Sequence, residues 1–82
     1  LAEDLEDINK VIEPETGLPA IKLGLLRVEK DEIHYTPPSP FTPPILVISV
    51  GLQLKSLFKR YKIVIENYYI SEEINERLNY DA

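Results

Sequence analysis

The sequence contains no cysteine, no methionine and a single histidine. Without cysteine there is no disulfide framework, no thiolate nucleophile and no sulfur ligand for a metal, so the redox compartment cannot be read from sulfur chemistry. The lone His34 has no second imidazole or thiolate to complete a usual ligand set. The longest apolar run, Ile45 to Val50, falls far short of the roughly 20 residues that span a bilayer, and no basic segment precedes an apolar one as in a leader peptide. Glycine-rich phosphate loops are missing as well: Gly24 stands alone before a leucine pair. Basic residues are scattered apart from Lys55, Lys59, Arg60 and Lys62, and the net charge of −5 opposes the phosphate neutralisation on which nucleic-acid binding depends. No nucleic-acid or membrane partner is expected, and a soluble cytoplasmic protein is the default.

What is present suffices for a folded domain. Apolar residues make up 44% and charged residues 28%, values that separate the chain from disordered sequences. With 82 residues it is one domain, 1–82, and such a domain buries only roughly 60% of its unfolded surface. Marginal stability, or a partner's help with it, is therefore expected.

Leu1, Leu5, Ile8 and Ile12 recur at the spacing of one helical face, with acids between them, and predict a helix over about 2–12 that Pro14 ends. After a loop, "LGLLRVEK" and "EIHYT" read as a β-hairpin turning at Lys30 and Asp31, with Leu26 and Val28 on one face and Ile33 and Tyr35 on another. "PILVISVGLQLKSLFKRY" reads as a helix with Thr42 as its cap, Pro44 in its first turn, and Lys59 and Arg60 in its last. Its polar stripe is Ser49, Gln53, Ser56 and Arg60. Val47, Val50, Leu54, Leu57 and Phe58 face the core, with Ile48 and Leu52 at the margin of an apolar face wider than one sheet would cover. Those two residues are the expected interface of a homodimer. "YKIVIENY" is the third strand, and Ser71 caps a last helix opened by Glu72 and Glu73 and striped by Ile74 and Leu78. The order α-β-β-α-β-α predicts an α+β two-layer sandwich, a small mixed sheet with helices on one face.

Residues able to carry chemistry are few. His34 lies in a strand beside Glu32 and Thr36 and reads as a plain strand residue, so no metal site is expected. Glu13 and Glu15 flank Pro14 and read as solvated surface acids. Ser39 in "PPSPF" has no neighbouring base and sits in no nucleophile elbow, so no catalytic residue and no enzyme is expected. The segment "YTPPSPFTPPI" holds five prolines, which fix φ and remove donors, so it is a stiff loop rather than a strand or helix interior.

The string "VIEPETGLPAIKLGLLRV" resembles the opening motif of the iron-sulfur cluster assembly domain family, once classed as a domain of unknown function. That family includes the cytosolic iron-sulfur targeting factor and a phenylacetate-degradation accessory protein. Val11, Pro14, Glu15, Gly17, Ile21, Leu23, Gly24 and Leu25 match, with Glu13 in place of an aspartate and Leu26 of a valine. "YTPPSP" falls where the family has a T-x-P-x-C-P loop: Pro37 and Pro40 match, Tyr35 replaces the threonine and Ser39 the cysteine. The resemblance implies a rigid functional loop presenting one side chain at a helix N-terminus. It also implies an accessory role in cluster assembly. A serine hydroxyl is a poor ligand for iron in a sulfide cluster, so no cofactor is expected and the role becomes docking a protein client or scaffold. The implied site is Ser39, Pro40, Phe41 and Thr42 with Glu13, Pro14, Glu15 and Gly24. Phe41 is its anchor, unless it plugs the core beneath the loop. The alternative is a cluster-independent structural or regulatory interaction domain.

Overall fold

The computed structural model describes residues 5–80. The fold is α+β, and its centre is a three-stranded mixed sheet of β3 (Leu26–Glu29), β4 (Glu32–Tyr35) and β5 (Lys62–Ile65), with β4 in the middle. β3 and β4 form the expected hairpin, Leu26 opposite Tyr35 and Glu29 opposite Glu32. Lys30 makes the turn at φ 53°. β5 runs parallel to β4, Ile33 beside Ile63 and Tyr35 beside Ile65, so the chain must cross over between them. α1 (Pro44–Leu57) makes that crossover, and α2 (Ser71–Leu78) follows β5. Side chains alternate in a strand, so Ile33, Tyr35, Ile63 and Ile65 all point to the helical layer, where they are fully buried with Val47, Val50, Leu54 and Phe58. α2 comes close to α1 at Gly51, where a Cβ would stand 2.7 Å from Leu78 Cδ1.

β5 is an edge strand, and its outward backbone groups are not left open. Asn75 on α2 and Asn79 at its C-cap, one turn apart, lay their carboxamides along it. Ile65 N–H donates to Asn75 Oδ1 at 2.7 Å and Asn75 Nδ2 donates to the Ile65 carbonyl at 3.0 Å. Asn79 repeats the pattern on Ile63, at 3.1 Å and 2.8 Å. Two side chains therefore act as a short extra strand and close an edge that would otherwise invite pairing.

Several expectations need correction. The first helix is a 3₁₀ turn, Leu5–Lys10, ending before Ile12; residues 1–4 of the expected helix lie outside the described residues. Among the described residues of its stripe only Ile8 is buried, which is too small an anchor to carry the element to residue 12. Where a loop was expected, β1 (Ile12–Glu13) pairs antiparallel with β2 (Leu18–Pro19), and a second 3₁₀ turn spans Ala20–Leu23. α1 ends at Leu57, so Lys59 and Arg60 lie beyond it. Its N-cap is Pro43 rather than Thr42, and Ser71 is the first residue of α2 rather than its cap.

Candidate functional site

The proline-rich segment runs from the end of β4 to the start of α1, and its rigidity comes from both ring geometry and a closed set of hydrogen bonds. Pro37 is buried beneath the loop, while Pro38 and Pro40 face solvent. Ser39 Oγ accepts the Phe41 N–H at 3.0 Å, and Ser39 N–H donates to Thr42 Oγ1 at 3.2 Å. Thr42 N–H returns to the Ser39 carbonyl at 3.1 Å. Thr42 is buried, and its carbonyl accepts the hydroxyl of buried Tyr68, which ties the loop to the segment after β5. Ser39 and Thr42 are thus committed to holding the loop's shape. The expected anion-receptive helix start is curtailed, because Pro43 and Pro44 at the N-cap and first position carry no N–H.

What this frame presents is Phe41, 88% exposed. It does not plug the core. Four residues on, Ile45 is 72% exposed, and Ile48 and Leu52 follow at 37% and 56%. At 100° per residue, Ile45, Ile48 and Leu52 share a face of α1 roughly opposite Val47, Val50 and Leu54, which enter the core. The helix is apolar on two sides and the sheet covers one. Ile48 and Leu52 were legible in the sequence as margin residues; Ile45 was not, because nothing local says which way the first turn of the helix faces.

The stripe ends in a groove of about 930 Å3 lined by Leu52 and by Lys55, Lys59, Arg60, Lys62 and Arg77. Among the described residues no acidic side chain lines it, and none of these five cations makes an ion pair. Lys55 Nζ instead donates to the Tyr61 carbonyl at 3.2 Å and to Asn79 Oδ1 at 3.3 Å. The basic cluster seen along the sequence is therefore a concave cationic site joined to the apolar stripe, and the fold adds Arg77.

The Glu-Pro-Glu motif has a different part. Glu13 is fully buried rather than solvated. Its carboxylate accepts the Glu15 N–H at 2.9 Å and the Thr16 N–H at 2.8 Å, while its carbonyl accepts the Gly17 N–H at 2.8 Å. Burial pushes its pKa up, but the hydrogen bonds from Glu15 and Thr16 outweigh it and hold the carboxyl below its ordinary value. Pro14 and Glu15 are exposed on the turn that Glu13 builds. Gly24, at φ 74°, caps the second 3₁₀ turn in a conformation that suits glycine. No hydrogen bond or ion pair among the described residues links Glu13, Pro14, Glu15 or Gly24 to Ser39, Pro40, Phe41 or Thr42. The two stretches approach each other at Tyr35, and next to it Thr36 N–H donates to the Leu25 carbonyl at 2.9 Å. The Tyr35 hydroxyl is pushed up to about 12 by burial and by the charges of Glu13 and Glu15, and it stands at the foot of the proline loop.

The sequence also missed Gln53, assigned above to a polar stripe. It pairs with the backbone of Ile12, accepting its N–H at 2.8 Å and donating to its carbonyl at 2.9 Å, and so fastens the Glu-Pro-Glu ribbon to α1. Among the described residues no helix is long and apolar enough to cross a membrane. Comparison with protein-family models, with curated proteins and with solved structures finds no match to this chain.

Proposed function

We propose that this chain is a non-enzymatic accessory protein of iron-sulfur or related metallocentre assembly that works by docking a protein client or scaffold. The observation that carries the docking is Phe41, held out by a proline-locked and internally hydrogen-bonded loop at the head of the Ile45, Ile48 and Leu52 stripe. An aromatic side chain carried on a backbone that is already fixed leaves less of the loop to order on binding, which favours it as an anchor. The cationic groove at the other end of the stripe sets the client's character: an apolar ridge that leads into acidic residues. The link to metallocentre assembly rests on the resemblance carried by the Val11 to Leu26 motif, with Val11, Pro14, Glu15, Gly17, Ile21, Leu23, Gly24 and Leu25 as its matching residues, and on the loop around Ser39.

A photo-reactive phenylalanine analogue at position 41, in cells that express the protein, tests this reading. One dominant cross-linked partner is expected, a metalloprotein or a component of its maturation, and Ile45→Glu is expected to abolish the cross-link. Phe41→Ser should leave the melting temperature of the isolated domain unchanged while weakening the complex at least tenfold. A cross-link only to a second copy of the chain would replace this proposal by the homodimeric interaction domain.

A further inference from the structure

The face of the sheet turned away from the helices is charged, and its groups converge on His34. Cross-strand register places Arg27 opposite His34 and Glu29 opposite Glu32, and it brings Lys62 beside Glu32 from β5. His34 Nε2 lies 2.9 Å from Glu32 Oε1 and 3.7 Å from Glu29 Oε1. Arg27 holds the second oxygen of Glu29 at 2.8 Å and reaches Glu66 Oε2 at 2.9 Å. Glu29 Oε1 is thereby left facing the imidazole. Three carboxylates, those of Glu29, Glu32 and Glu66, thus stand against one paired guanidinium, and exposed Lys62 makes no ion pair among the described residues.

The imidazole itself supplies a second observation. Its side chain is only 11% exposed. Its Nδ1 is buried and forms no hydrogen bond, although Glu66 Oε2 is 3.4 Å away. In a neutral ring the bond to Glu32 requires the proton on Nε2, which turns the Nδ1 lone pair toward the Glu66 carboxylate. A cation on Nε2 reverses that arrangement. The ring then carries its one proton on Nδ1, where Glu66 accepts it, as the carboxylate partner of a metal-bound histidine does.

We infer that Glu29 Oε1, Glu32 Oε1 and His34 Nε2 form a site for a zinc-class divalent cation, oriented from behind by Arg27 and Glu66. The three ligand atoms lie within 4.8 Å of one another. Ligands about 2.0–2.2 Å from a tetrahedral zinc lie roughly 3.3–3.6 Å apart, and the two separations from Nε2 bracket that spacing. An imidazole among the ligands favours zinc over calcium or magnesium, which take oxygen. The site leaves a fourth position for water. It is independent of the docking surface, being on the opposite face of the sheet from α1.

The test is titration of the full chain with zinc chloride at neutral pH by calorimetry, with heteronuclear NMR of the His34 ring. One equivalent is expected, with the ring moving to the Nδ1–H tautomer. His34→Gln should abolish this binding, and Glu66→Gln should weaken it about ten- to a hundredfold while leaving the stoichiometry intact. Unchanged far-UV circular dichroism in both variants keeps the comparison valid. Absence of zinc binding, equal binding in His34→Gln, or zinc bound with the proton still on Nε2 would each overturn the assignment.

Discussion

Asn79→Ala should be among the most damaging single substitutions at a residue that is not in the apolar core. The side chain accepts from Ile63 N–H and Lys55 Nζ and donates to the carbonyls of Ile63 and Asn75. Two of these losses are recoverable. Lys55 keeps the Tyr61 carbonyl, and the Asn75 carbonyl still receives the Asn79 backbone N–H at 3.1 Å. The N–H and carbonyl of Ile63 are different, because Ile63 is fully buried and both groups are satisfied by the Asn79 carboxamide. A buried polar group left unpaired costs roughly 1–3 kcal/mol, so the pair is expected to cost about 3 kcal/mol, water at the half-buried edge recovering part of the sum. At roughly 4–8 °C per kcal/mol in a domain of this size, the melting temperature should fall by about 12–24 °C. Urea denaturation should show a lower midpoint at unchanged slope, and amide exchange at Ile63 should accelerate. The exposed neighbour Glu76→Ala should stay within about 0.5 kcal/mol. A loss below 1 kcal/mol for Asn79→Ala, with Ile63 still protected, would refute the claim that carboxamides close this edge.

Two further outcomes follow from the same accounting. Because the fold holds the Glu13 carboxyl below its ordinary value near 4.5, its contribution to stability is fully present above that pH and is lost as pH falls through the lowered value. Glu13→Gln should therefore destabilise the protein at pH 7 and flatten the acid limb of a stability curve below pH 4.5; an unaltered limb would show that the carboxylate is not the group lost. Gln53→Ala should cost about 1–3 kcal/mol by stranding the Ile12 backbone, and it should raise exchange at Ile12 more than at the sheet amides.

How much was legible follows the range over which each signal acts. The hairpin, the third strand and both α-helices announced themselves through alternation or helical spacing among neighbours, and Val47, Val50, Leu54 and Phe58 face the core as expected. Leu26 and Val28, however, expected on a face apart from Ile33 and Tyr35, lie directly opposite them and share their face. The first helix failed because, of the described positions in its apolar stripe, Leu5, Ile8 and Ile12, the fold buries Ile8 alone. Helix ends failed for a related reason. Thr42 has the chemistry of a cap, yet Ser39 and Tyr68 claim its polar atoms first.

The candidate sites divide along the same line. The proline loop, Phe41, Ile48 and Leu52 could be singled out because proline content and an overly wide apolar face are local properties. That Phe41 points outward, that Ile45 extends the stripe, and that five cations collect in one groove were decided by how α1 lies on the sheet and where α2 returns. Glu13 looked like a surface acid because nothing in its neighbourhood signals that two following amides turn back onto its carboxylate. His34 looked unaccompanied because Glu29 precedes it by five residues and Glu66 follows at a distance. Only the hairpin register and the parallel return of β5 bring those carboxylates to its two nitrogens. The sequence by itself determined the α+β class, the strands, the two main helices and the stiffness of the loop, since these depend on periodicity and on backbone freedom. Tertiary structure alone decided which charges meet and which apolar side chains stay in water, since both depend on strand pairing and packing between residues far apart in the chain.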